Sequence, residues 1–245
     1  MGEGRATLMP PVSQTHLQLF QQLMVDDYDL AVLKRFHGAC EFVNRSFAGL
    51  YRACGKPFVC HLFGVASVLI MLKAPAETVL AGLCHAYYPQ GHKRWRRRGV
   101  QRARLRSIIG EEAEALTWAY READWSPAAV ERYLAEPLPG ADTQAFQLLL
   151  IRLANEVDDH LDGSDGLVHP DRSWSPKQRQ TLIELSRKVG DDMLIGLLEQ
   201  TLSPVDARVA ALPVGLRRKS SYPLASRRFF ALDRVLANAK KKLLG

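Results

Sequence analysis

Two histidines are the residues with the most chemistry to offer. His61 and His85 each stand in an otherwise apolar run, VCHLFGVASVLI and VLAGLCHAYY. A histidine in such a setting is more often a hydrogen-bonded core residue than a ligand to a metal ion, and both readings stay open for this pair. Lys56 stands beside the start of the first run, where a helix N-terminus would accept an anion such as a substrate phosphate. An ordinary surface lysine reads the same way. Tyr88 lies one turn beyond His85; it either adds a phenol to the same pocket or packs in the core. Cys84 is adjacent to His85, but neighbours on a helix point about 100° apart, so the two make no Cys–His dyad.

The elements that must position these residues are helices. Leu62, Val65, Ala66, Leu69 and Ile70 recur at helical spacing and predict a helix over 59–72. Val79, Leu80, Leu83 and Ala86 predict a second over 76–88. Lys73-Ala74-Pro75 separates them, because proline disfavours helix at the residue before it. A short turn makes the pair antiparallel, so the start of one lies beside the end of the other and the imidazoles meet. Upstream, the pattern predicts helices over 14–24 and 29–54, with Gly55 as the stop of the second. His37, on that long helix, reads as packing. Downstream, helices are expected over 102–109, 111–123, 128–135, 142–161, 176–189, 191–202 and 224–244. No strand alternation and no internal repeat is found, so the fold class is all-α.

Composition excludes several classes. The chain has 245 residues, 47% hydrophobic and 24% charged, as in an ordinary globule. No apolar run reaches the roughly 18 residues of a membrane span, and no leader pattern opens the chain. Cys40, Cys54, Cys60 and Cys84 form no CxxC and read as helical free thiols in a reducing cytoplasm. The net charge of +7 is local: residues 93–106, KRWRRRGVQRARLR, hold eight basic residues and no acid, and the remainder carries 25 Lys and Arg against 26 Asp and Glu. The run, with Arg96, Arg97, Arg98 and Arg102, reads as a solvated loop, a rim for substrate phosphate, or a nucleic-acid contact without a zinc-finger or RRM signature. Gly-x-Gly-x-x-Gly, Walker-type and Gly-x-Ser-x-Gly motifs are absent.

Three segments in order, Gly55-Lys56-Pro57-Phe58-Val59-Cys60-His61, Gly82-Leu83-Cys84-His85 and Arg152-Leu153-Ala154-Asn155, resemble the HD-domain superfamily. The likeness is to the hydrolase domain of the RelA/SpoT alarmone enzymes and spans roughly residues 30–165. It implies an HD-like helical bundle over 1–165 and a divalent metal (Mn, Fe, Co or Zn) acting on a phosphorylated or nucleotide-like small molecule; residues 166–245, outside the likeness, read as a C-terminal helical extension packed on that bundle, with a basic tail. It also implies a metal site made of both histidines, the aspartate of a His-Asp doublet and a later aspartate. This chain departs at two of those four ligands, with Ala86 in the doublet and Asn155 in the later helix. Asp158 and Asp159 stand one turn on from Asn155 and either face water or rebuild the site. His61, His85 and Asp159, with Asp158 as alternative, would then form a two-histidine, one-carboxylate set, with Lys56, Tyr88 and Asn155 beside it. Glu156 is expected to pair with Arg152 at i−4. Three readings follow: a hydrolase with a rebuilt site (or, with iron, an HD-type oxygenase), a non-catalytic pseudo-hydrolase that binds a ligand or a protein partner, and a nucleic-acid-associated protein.

Overall fold

The segment 58–71 carries almost no polar face. In α3 (Phe58–Met71), Phe58 and every residue from His61 to Ile70 are buried. A helix that is apolar all round belongs in the middle. Around it pack α1 (His16–Val25), α2 (Leu30–Phe47), α4 (Ala76–Cys84) and α9 (Gln144–His160). Short α5 (Tyr87–Gln90) follows α4, and α6 (Arg98–Ile109), α7 (Glu111–Glu122) and α8 (Pro127–Ala135) complete the middle of the chain. Then come α10 (Pro176–Val189) and α11 (Asp192–Leu202). The structure, a computed structural model, describes residues 12–26, 28–52, 54–91, 98–161, 174–203, 207 and 210–214. Among these the named elements are all helices, and Tyr51 with Pro57 forms an isolated bridge. The fold is all-α. No helix among the described residues is long and apolar enough to cross a membrane.

Local chemistry explains the helix starts. Thr15, Asp29, Ser126, Thr143, Ser175 and Asp191 each accept a hydrogen bond from a backbone N–H in the first turn that follows. α10 packs on α8 and α11 on α9. Leu182, Leu185, Leu194 and Leu198 belong to the same core as Leu62 and Leu153. The C-terminal part shares one core with the rest as far as it is described; the predicted helix 224–244 lies outside the described residues.

Two expected boundaries are corrected. The helix expected over 29–54 ends at Phe47. Gly49 turns the chain at φ +70°, and Gly55 at φ +90° closes a second turn in which Arg52 and Lys56 pair through their backbones. Gly55 is thus part of a tight turn and not a helix stop, and Cys54 is not helical. The helix expected over 76–88 ends at Cys84, and a new turn of helix starts at Tyr87. All four cysteines are free thiols, Cys40 and Cys84 buried, Cys54 and Cys60 half-buried.

Candidate histidine–carboxylate site

Antiparallel α3 and α4 bring the first turn of one beside the last turn of the other. His61 Nε2 and His85 Nε2 are 3.3 Å apart, and the rings meet edge to face. α9 supplies the carboxylates. Asp158 Oδ2 lies 2.7 Å from His61 Nδ1, and Asp159 Oδ1 lies 3.3 Å from the same nitrogen. The turn before α3 supplies cations: Lys56 Nζ reaches both oxygens of Asp158 at 2.7 and 2.8 Å, and Arg52 Nη2 lies 2.7 Å from Asp159 Oδ1. Gln14 Nε2, from the segment before α1, donates to Asp158 Oδ1 at 3.2 Å. Gly64 makes room for this assembly, since a β-carbon there would sit 1.8 Å from Asp158 Oδ1.

The order of protons follows from one fixed acceptor. The Gly82 carbonyl, near the end of α4, accepts from His85 Nδ1 at 2.7 Å as well as from the His85 backbone N–H at 3.4 Å. Neutral His85 therefore offers Nε2 as an acceptor. His61 fills it by donating Nε2–H, which leaves His61 Nδ1 as an acceptor. With both rings neutral, these contacts are satisfied when Asp158 donates from Oδ2 as a carboxylic acid. The electrostatics run the same way. Burial holds His61 well below the usual histidine range, with Arg52 adding to the effect. Burial pulls His85 down to about 4. Burial pushes Asp158 up, against the opposing pull of Lys56.

These residues do not fit the metal set expected of them. The two nitrogens of one imidazole aim their lone pairs away from each other. His61 gives Nδ1 to Asp158 and Asp159 and Nε2 to His85, so a single ion cannot take His85 and the carboxylates together through it. Both carboxylates also already carry a cation. The acidic pair does not face water: the Asp158 side chain has no exposed surface and Asp159 keeps 18%.

The remaining predicted residues go to different places. Asn155 joins the site's edge, donating to Asp159 Oδ2 at 3.0 Å. Lys56 is occupied by Asp158 and does not stand free for a phosphate. Tyr88 turns away from the histidines and donates to Glu114 at 2.6 Å, because the break after Cys84 resets the helical register. Arg102 joins Tyr88 there, with Nε 2.7 Å from Glu114 Oε1. Arg96, Arg97 and the side chain of Arg98 lie outside the described residues. His37 packs edge-on against His16 and Phe20, apart from the site. Arg152 pairs with Glu156 one turn on, as expected.

Four participants went unread in the sequence. Arg52 was hidden inside an over-long helix, although the Gly49 and Gly55 pair signalled a turn. Tyr120, whose ring lies 5.4 Å from that of His85, is fully packed and pushed up to about 12 by burial. Its spacing from Leu116 on α7 marked it as core. Gln14 and Gly64 carried no local signal. A groove of about 580 Å³, lined by Gln18, Gln22, Val25, Met71 and Met193 among others, includes none of the residues of this site.

A family described as a domain of unknown function (DUF6817) matches residues 42–124, a span that contains both histidines and Tyr120. No curated protein matches the chain.

Proposed function

We propose that this chain is a metal-independent HD-like module, a pseudo-hydrolase that acts by binding a ligand or a protein partner. The observation that carries this reading is the way His61 divides the expected ligand set, with carboxylates on Nδ1 and His85 on Nε2. Lys56 and Arg52 supply beside Asp158 and Asp159 the positive charge that a hydrolytic ion would bring. The three HD-like segments, read with Ala86 and Asn155 in place of two acidic ligands, support the same conclusion. The surface through which binding would occur is the rim where Arg52, Lys56 and Asp159 each keep some exposure.

One observation favours the rebuilt-hydrolase reading instead. A nitrogen of His61 and oxygens of Asp158 and Asp159 lie within 4.8 Å of one another. The oxygenase alternative needs the same atoms. The deciding experiment is turnover of phosphomonoesters, phosphodiesters and nucleotides in the presence of Mn²⁺, Fe²⁺, Co²⁺ or Zn²⁺, with metal content measured on the same protein. The expected result is no turnover and no stoichiometric metal. Turnover that follows one equivalent of metal, and is lost in His85→Ala, would overturn the proposal.

A further inference from the structure

We propose that Lys56 holds the place of a metal ion: the atoms around its ammonium form a divalent-cation site that the lysine keeps shut. This rests on the metal-independent reading above, and deepens it by naming the group that stands in for the ion.

The cluster has the donors of a cation site. One nitrogen of His61 and one oxygen each of Asp158 and Asp159 lie within 4.8 Å of one another, two of the three residues buried. One imidazole and two carboxylates suit Mn²⁺ or Zn²⁺. His85 takes no part in this set, since it meets the other nitrogen of His61.

Three further observations point to a cation. A cation is already there, for Lys56 Nζ grips both oxygens of Asp158 at 2.7 and 2.8 Å. Asp159 Oδ1 is shielded from solvent and lies 2.7 Å from Arg52 Nη2, an ion pair rather than a well-aimed hydrogen bond. Gly64 lets α9 press the Asp158 carboxyl directly onto α3, which a surface ion pair would not require.

The lysine is also removable. Its side chain rises from the turn at residues 52–57 and keeps 16% exposure, so its loss leaves the apolar core untouched. An ammonium brings one positive charge where a divalent ion brings two. At contact distance its repulsion of such an ion is worth several kcal/mol even in a well-screened site. Removing it should both vacate the position and free the carboxyl.

The test is Lys56→Met, purified without chelator and titrated with Mn²⁺ and with Zn²⁺ by calorimetry, with the Mn²⁺ spin signal as a second readout. The expected result is one equivalent bound at least about a hundredfold more tightly than by the parent. Thermal stability should rise on metal addition in the variant alone. Lys56→Arg, which keeps the charge, should behave as the parent. A folded Lys56→Met that binds no more tightly than the parent overturns the proposal. Lys56→Gln, which keeps a hydrogen bond to Asp158, is the second variant and is read in the same way. Should both variants fold only when metal is present, the proposal stands; should both stay unfolded with and without metal, it fails. Metal-dependent turnover by the parent would overturn the functional reading instead, whatever Lys56→Met does.

Discussion

Glu114 and Asp158 are both carboxyl groups with no exposed side-chain surface, yet their surroundings push them in opposite directions. Burial pushes Glu114 up, but Arg102, Tyr88 and Arg106 together outweigh it and hold the group below the usual carboxylate range. Glu114 receives a two-pronged contact from Arg102 at 2.7 and 2.9 Å, one from Tyr88 at 2.6 Å and one from Arg106 at 3.2 Å. Asp158 receives Lys56 and Gln14, and faces an imidazole nitrogen that needs a proton. Burial wins there, and the group is pushed up. Burial alone does not set the charge of a carboxyl; the number and charge of the donors that reach it does. One region is a closed ion-pair clamp between α6 and α7, the other a buried hydrogen-bonded chain with a cation at its end.

The largest effect is expected from denying Asp158 its seat. Gly64→Ala puts a β-carbon on the Asp158 carboxyl and within 2.9 Å of Gln14 Nε2, while Lys56 holds the carboxyl in place. Loss of about 3 kcal/mol or more is expected in urea unfolding. A near-neutral result would mean that α9 does not press on α3 as described.

The histidines give the second largest effect, as a dependence on pH. His85 titrates near 4 in the fold and near 6.5 when unfolded. Its neutral form is the folded form, so its contribution is complete above pH 6.5 and lost as pH falls toward 4. The full effect is about 3 kcal/mol. Asp158, pushed up, has the opposite sign and loses stability as pH rises through its folded value. Thermal melts between pH 7.5 and 4.5 should steepen toward acid, and His85→Gln should flatten that slope. An unchanged slope would remove His85 from the account.

The two carboxyls can then be compared directly. Glu114→Gln strips the charge from a group bound by two guanidinium groups, at an expected cost of roughly 2 kcal/mol, discounted for the partial exposure of both arginines. Asp158→Asn keeps a donor toward His61 Nδ1 and an acceptor toward Lys56, at about 1 kcal/mol or less. Equal costs, measured by chemical unfolding, would mean that both carboxyls carry the same charge. The smallest effect is Tyr88→Phe, which removes one donor from Glu114 at somewhat under about 1 kcal/mol.

The helices were legible because their starts carry caps and their stripes carry apolar residues. α3 declared itself by having no polar face, and the Lys73-Ala74-Pro75 turn made the convergence of His61 and His85 a consequence of chain geometry. The side of His61 that each partner would take was not legible. Nothing in the spacing of Asp158 and Asp159 tells whether they approach Nδ1 or Nε2; that depends on how α9 lies against α3, through Gly64. Tyr88 was misplaced because an unbroken 3.6-residue register was carried past His85, where the backbone leaves the helix at Ala86. Arg52 was lost for the converse reason, since a strong apolar period through Leu50 and Tyr51 concealed the turn that Gly49 introduces.

The division of His61 between its partners is decided by the tautomer of each imidazole, read from ring-nitrogen shifts in long-range proton–nitrogen spectra at pH 7, before and after adding Zn²⁺ or Mn²⁺. The account predicts His61 protonated on Nε2 and His85 on Nδ1, with neither altered by the metal. His61 protonated on Nδ1, with both Nε2 atoms bare and shifting together on Zn²⁺, would contradict it and make the histidine pair the grip of a metal ion.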